Sequence, residues 1–419
     1  MINFKSYPNM TKCIILDGTP LSSTDFSDAF SNMQNLKIVT LPNGVVNMSN
    51  TFHNCVNLMT ATCGENVVDM SSVYQNCYSL TIPVCGPNVT NMYRSYSNCT
   101  NLTTAVCGDK VELMASAYAY CTNLTTAVCG PNVTNMATTY LKCTNLTTAV
   151  CGNNVTSLYG TYQNCTSLTT AVCGPNVTDM AYAYYDCKNL TTAVCGPNVT
   201  SMWYTYYACP NLTTAVCGPN VTNMRLAYQK CTNLTTAVCG ENVTIMASTY
   251  GYCTNLTTAV CGPNVTSMES AYSHCTNLTT PVCGPNVTDM AFAYRECTNL
   301  TTAVCGPNVT GMGWAYYNCT NIQGNMYIYS NAVTNFRNCF YGKNVSNILN
   351  IYVHAGTDTN TALTNKTGTY SLVGVDSTWT IDATNSCKYN AAQNIYIYYV
   401  TNVDAVRIAN GDPDYMGNV

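Results

Sequence analysis

The chain has 419 residues, 15 Lys+Arg against 19 Asp+Glu, and only 8% charged side chains, about a third of the share usual in soluble domains. A net charge of −4 excludes a basic nucleic-acid binder and an acidic cation-sequestering tail. The opening stretch, MINFKSYPNMTKC, lacks the apolar core of a signal peptide, and no run approaches the roughly 18 apolar residues of a membrane-spanning helix.

Residues 1–29 read as an N-terminal cap. A periodic pattern then begins. One cysteine column runs from Cys55 to Cys319 and a second from Cys63 to Cys305, both in steps of 22, and together they hold 25 of the 28 cysteines. Leucine recurs from Leu36 to Leu300, ending with Ile322; methionine recurs from Met48 to Met312, with Leu158 as its substitute; valine recurs from Val67 to Val309. An aromatic column starts at Phe30 and Phe52 and continues as tyrosine from Tyr74 to Tyr316, so the ring is expected to be buried. The first copy carries Met33 and Leu41 where the cysteines belong, as a degenerate terminal coil does. A fixed step without insertions means a solenoid of about 13 coils over residues 30–322.

Within one unit, Val177, Met180, Ala183 and Tyr184 share a face at helical spacing, which predicts a short helix or 3₁₀ turn. Leu190, Ala193 and Cys195 alternate as the inward positions of a short strand. Gly196-Pro197-Asn198 is turn chemistry that ends it. After Ile322 the step breaks, because Cys339 lies 20 residues beyond Cys319. Strand-like runs follow at Met326–Tyr329, Ile348–Val353 and Ile395–Val400, with a loop over Thr357–Thr369. Residues 323–419 read as a β-rich C-terminal cap or docking module.

These residues resemble the BspA-like branch of leucine-rich repeats, in which N-V-T-x-M, an aromatic and C-x-x-L lead into a strand. The likeness covers residues 30–322 and departs at the strand, where Ala193 and Cys195 replace larger aliphatics. It implies an α/β solenoid: a right-handed leucine-rich-repeat stack with a β-rich C-terminal module. It also implies a surface adhesin or a phage-encoded virion protein. The segments Asn335–Val353 and Asn394–Asp412 resemble the tail of phage-type members. The implied localisation is a virion surface or a bacterial cell surface.

Chemistry is sparse. The cysteine spacings of 8 and 14 within a unit are not the short spacings of a zinc site, so no metal and no cofactor are expected and the thiols read as buried, reduced ladders. His53, His274 and His354 are the three histidines; His274 beside Cys275 is adjacency, not a dyad. No enzyme is expected. The N-x-T triplets at Asn176, Asn189 and Asn198 match glycosylation sequons, but in this repeat they read as stacked turn residues bonded from coil to coil.

Variation concentrates at the two residues after each Met and the two after each Tyr. Free variation there is what an unconstrained surface produces. The same positions hold Tyr182, Tyr185, Trp203, Tyr204 and Tyr207 in consecutive coils, an exposed aromatic ridge of the kind that marks binding sites. The expected ligand is a host-surface glycan or protein, with no nucleic acid and no membrane insertion. The alternative is a structural protein that self-associates, or joins other virion proteins, through its Thr/Val face (Thr192, Val194 and their equivalents).

Overall fold

A computed structural model describes residues 4–355 apart from 16–17 and 19–22, together with 357, 359, 380–382, 387–390 and 393–412. The loop expected over Thr357–Thr369 falls almost wholly outside these residues. The chain forms two compact units, Met1–Val199 and Thr200–Val419.

The first unit opens with three short strands, β1 (Lys12–Ile14), β2 (Ile38–Thr40) and β3 (Thr60–Ala61). They pair in parallel, with Cys13 opposite Val39 and Val39 opposite Ala61. Farther along, the ladder thins to single bridges such as Thr126–Thr148 and Thr170–Thr192. A second line of parallel bridges runs one per coil from Asp25–Asn47 to Ser157–Asp179. The cap is anchored by Phe4, whose ring stacks on Phe30 at 4.4 Å and whose N–H donates to the Ala29 carbonyl at 2.9 Å.

The periodic residues build the core. Val177, Met180, Ala183, Tyr184, Cys187 and Leu190 are all fully buried, so the shared face is as expected. Its conformation is not: the arc is a run of turns in every described coil, with no helix. The cause lies in the hydrogen bonds. The N–H groups of Met114, Ser116, Tyr118 and Tyr120 donate to the next coil, at Asn135, Ala137, Thr139 and Leu141. The intervening N–H groups of Ala117, Ala119 and Cys121 donate three residues back, to Met114, Ser116 and Tyr118. A helix keeps all such bonds inside itself; this arc gives every second one away. The α/β expectation therefore gives way to a stack of turns and bridges.

The aromatic column is a continuous pile of rings in each unit. Centroids from Phe30 to Tyr184 lie 5.1–5.8 Å apart and nearly parallel, as they do from Tyr206 to Phe340. From Tyr96 onward the hydroxyl is used as well. The Tyr118 hydroxyl donates to the Val106 carbonyl at 2.6 Å and accepts from the Val106 N–H at 2.9 Å; Tyr140 does the same at Val128 and Tyr250 at Val238.

The two cysteine columns differ. First-column thiols are buried, and most donate to the carbonyl of the ring residue one coil back, as Cys77 does to Phe52, Cys143 to Tyr118 and Cys253 to Tyr228, each at 3.1 Å. The second column and its neighbour Ala193 were expected inside, yet Cys63 to Cys261 and Ala193 are half-buried. The glycine after each of these cysteines explains it. A Cβ on Gly196 would stand 2.8 Å from Cys173 Sγ and 3.1 Å from the Gly174 oxygen. The thiol is thus wedged against the next coil's backbone at the edge of the core. The 27 cysteines other than Cys387 are unbridged.

The second unit continues the pattern, with bridges from Ser201–Asn223 to Gly311–Asn335. The break at Cys339 is a coil two residues longer. Phe340 stacks on Tyr316, so Cys339 takes the place of Ala315, not of Cys319. Lys343 takes the place of Cys319: its N–H donates to the Phe340 carbonyl as that of Cys319 does to Tyr316. Its buried ammonium donates to the carbonyls of Asn344, at 2.9 Å, and Asn347. Burial lowers its pKa to about 8.

The three expected strands are present as β4 (Gly324–Ile328), β5 (Leu349–His354) and β8 (Ile395–Val400). With β6 (Thr380–Asp382) and β7 (Cys387–Asn390) they form a sheet in the order β4-β5-β8-β7-β6. The first three are parallel and the last two pairings antiparallel. A helix unforeseen in the sequence reading, α1 (Val403–Asn410), follows; Asn402 caps its start and Gly411, at φ 71°, its end. Asp412 then ties it to β4, accepting from the Tyr327 hydroxyl at 2.5 Å and from Asn325 at 2.8 Å.

Candidate binding surface

Where Asp or Asn stands at its first position, the arc is opened by an Asx-turn. The Asp179 side chain accepts from the Ala181 N–H at 2.9 Å, and Asn223 does so from Arg225 at 2.9 Å. The turn fixes where the two variable pairs emerge. The second residue of each pair lies in the left-handed region in coil after coil: Tyr182 and Asp186 at φ 57° and 60°, Tyr204 and Ala208 at 55° and 56°, Phe292 and Glu296 at 57° and 60°. Non-glycine residues rarely adopt this conformation. It is held here by the alternating bonds, which over-determine the backbone.

The five aromatic residues singled out above fall in two units. In the first, Tyr182 packs against Tyr185 at 6.0 Å and edge-on against Tyr159 at 5.7 Å. In the second, Tyr204 sits between Trp203 and Tyr207, with 5.4 Å to each, and the Lys230 ammonium lies 5.3 Å above the Tyr207 ring. The ridge was expected to be exposed. Only Trp203 is, at 37%; Tyr182, Tyr185, Tyr204 and Tyr207 are half-buried, because the rings lean on one another.

Two further groups in the second unit were not singled out. Phe292 and Trp314 stack at 5.0 Å with the Arg337 guanidinium 4.7 Å over the indole. Arg295 lies 5.4 Å over Tyr317, which stacks on Tyr341 at 5.0 Å. Their signal was available: residues 22 apart at a surface position must be neighbours. His274 stacks on Tyr252 at 4.1 Å, and its Nδ1 stands 3.0 Å from Glu296 Oε2. Burial, aided by Arg295, lowers the His274 pKa against the pull of Glu296. Cys275 turns inward to the Tyr250 carbonyl, so the pair is no dyad.

The N-x-T positions behave as ladders. Asn176 and Asn198 donate to the carbonyls of Asn153 and Pro175 at 2.9 Å, and Thr178 donates to Thr156 at 3.3 Å. Asn189 is exposed. No described helix is long and apolar enough to cross a membrane.

The chain belongs to the BspA-type leucine-rich-repeat family. The family model for the BspA type leucine rich repeat region (6 copies) matches residues 4–125, 71–169, 93–213, 161–279 and 271–359. A leucine-rich repeat protein from Bacteroides ovatus shares the fold, with a TM-score of 0.60 at 14% identity over 82% of this chain and 87% of that one. A leucine rich cell surface protein from Faecalibacterium prausnitzii matches with a TM-score of 0.43 at 20% identity, over 76% and 87%. The pneumococcal vaccine antigen PcpA matches at 0.43 and 11%, over 85% and 87%. No curated protein matches by sequence.

Proposed function

We propose that this member of the BspA-type leucine-rich-repeat family is a non-enzymatic, surface-displayed binding or adhesion protein, a fibre or decoration protein of a phage virion, that recognises a glycan or protein on a host surface. The observation that carries the reading is the Trp203–Tyr204–Tyr207 cluster. Its rings occupy freely varying positions of the arc, keep 5.4 Å contacts, and expose the indole in a chain that is only 8% charged. Aromatic faces with one flanking cation, Lys230, suit the apolar face of a sugar ring and its polar rim. The Tyr159–Tyr182–Tyr185 group of the first unit offers the same chemistry. The N-terminal cap over 1–29, the solenoid over 30–322 and a docking role for 323–419 belong to this reading. The rival is a fibre or coat protein that self-associates through the Thr/Val face.

Changing Trp203 and Tyr204 together to Ser tests both. Ser116 and Ser248 already occupy the left-handed position of Tyr204, at φ 57° and 55°, so the fold tolerates the change. Loss of binding to a glycan array or to host cells, with unchanged sedimentation, supports adhesion through this cluster. Unchanged array and cell binding overturns it. Concentration-dependent sedimentation of the parent protein that Thr192→Lys abolishes favours the rival.

A further inference from the structure

The half-buried cysteines have a second feature in the first coils. A groove of about 440 Å³ opens beside Cys63, Cys85 and Cys107. Behind each thiol stands a methionine sulfur. Cys63 Sγ lies 3.8 Å from Met70 Sδ, Cys85 Sγ 3.9 Å from Met92 Sδ, and Cys107 Sγ 3.5 Å from Met114 Sδ. The three pairs recur in consecutive coils, so the neighbouring thiol is about one strand spacing, 4.8 Å, away. Two sulfurs that each stand about 2.3 Å from a common ion at a trigonal angle lie about 4.0 Å apart. Before any ion enters, the thiol–thioether pairs of Cys63 and Cys85 are within a few tenths of an ångström of that separation. Thiolate with thioether is the donor set that selects copper(I)-like ions. Among the described residues, no group of three or more His, Cys, Asp or Glu converges as ligands; the donors in the groove are two thiols and a thioether per pair of coils.

We propose that the Cys63–Cys85–Cys107 groove is a binding site for a soft monovalent cation of the copper(I) class. Each ion is held by the thiolate and thioether of one coil and a thiolate of the next.

Binding is proton-coupled. Each thiol that takes the ion loses its proton: for one ion between two coils, 2 Cys–SH + M⁺ gives (Cys–S–M–S–Cys)⁻ + 2 H⁺, with no change of oxidation state. Affinity therefore rises with pH, and a hard or weakly thiophilic ion does not displace the proton.

The chain contains its own control. Cys151 belongs to the same column, but Leu158 replaces the methionine behind it, fully buried. Full-length protein is titrated with silver(I), a redox-inert probe for copper(I), against a competing chelator, and retained ions and released protons are counted. The expected result is that Cys85→Ser and Met92→Leu each lose retained silver, that Cys151→Ser retains the wild-type amount, and that zinc(II) is not retained. Met92→Leu copies what the chain already carries at Leu158, so its fold is secure, and thermal melts confirm folding of the two serine variants. Equal losses from Cys151→Ser and Cys85→Ser, full retention by Met92→Leu, or zinc retained as well as silver overturns the proposal.

Discussion

The coils backed by phenylalanine and those backed by tyrosine close their backbones in different ways. Twelve residues before Phe52 lies Thr40, at the end of β2, whose carbonyl accepts from Ile15 at 3.0 Å. In the longer coil of Phe340, the bridge of Ile328 to Cys305 puts Tyr327 in the place of Val304, in β4 opposite Tyr352. In both places a neighbouring strand satisfies the backbone, and a ring without a hydroxyl suffices. Twelve before Tyr140 lies Val128, outside any named strand, and there the hydroxyl both donates to the carbonyl and accepts from the N–H. One oxygen does the work of two ladder bonds. A half-buried backbone without a strand partner needs such a substitute, since unpaired polar groups there cost about 1–3 kcal/mol each. The ring fills the core in both kinds of coil; the hydroxyl matters in one.

The largest expected effect lies in what the two kinds of coil share. Leu58 and Leu190 are both fully buried, one beside the ladder and one far from it. Replacing either with alanine is expected to cost about 2–5 kcal/mol through the cavity left behind. Differential scanning calorimetry checks this. An unchanged transition for Leu190→Ala would remove the leucine column from the core. A much larger loss for Leu58→Ala would mean the ladder coils depend on packing differently.

Tyr140→Phe separates the two regions. It keeps the ring stack, with neighbours at 5.8 and 5.6 Å, and deletes only the hydroxyl. The N–H and C=O of Val128 then lose their partner together. Because Val128 is half-buried, water repairs part of the loss, and a cost of about 1–3 kcal/mol is expected. Hydrogen exchange at the Val128 amide is expected to quicken. Unchanged exchange there would show that the hydroxyl is incidental.

The same contrast marks what a sequence exposes and what it hides. Burial of the Leu, Met, Val and aromatic columns was legible, since a strict step of 22 forces equivalent residues into equivalent places. The strands near Met326, Ile348 and Ile395 were legible from their apolar runs. The hydroxyl bond was not, because its partner is a backbone group 12 residues away and no side chain records it. The arc was misread as helical because Val177, Met180, Ala183 and Tyr184 have helical spacing whether or not their N–H groups stay inside the arc. A corrective signal was present: Asn54, Asn76, Asn98 and Asn164 recur where φ is 60–63°, and asparagine tolerates that region best among residues with a side chain. At the surface, Trp203, Tyr204 and Tyr207 were found from variation alone. Lys230 was missed as their partner, because a contact one coil on must be sought 22 or 23 residues away. The methionine column was counted as packing and so hid the thioethers behind Cys63, Cys85 and Cys107.

The smallest expected effect is the sharpest test of the comparison. Tyr74 stands where the two kinds of coil meet. It is the first tyrosine of the column and fully buried, yet its hydroxyl has no hydrogen-bond partner. The reason is twelve residues upstream, where the Thr62 N–H already donates to the Val39 carbonyl at 3.2 Å. The hydroxyl that accepts from the N–H of Val106 or Val128 finds that donor already taken here. A buried hydroxyl without a partner is a cost, so Tyr74→Phe is expected to leave the midpoint of thermal unfolding within experimental scatter or to raise it slightly. The ring stays between Phe52 and Tyr96, at 5.5 and 5.2 Å, so packing is conserved. Measured beside Tyr140→Phe under one set of conditions, the pair asks whether the same atom, removed from the same kind of ring, matters only where the strand ladder is missing. Equal losses in the two variants would make the hydroxyl a packing atom and end the distinction between the coils.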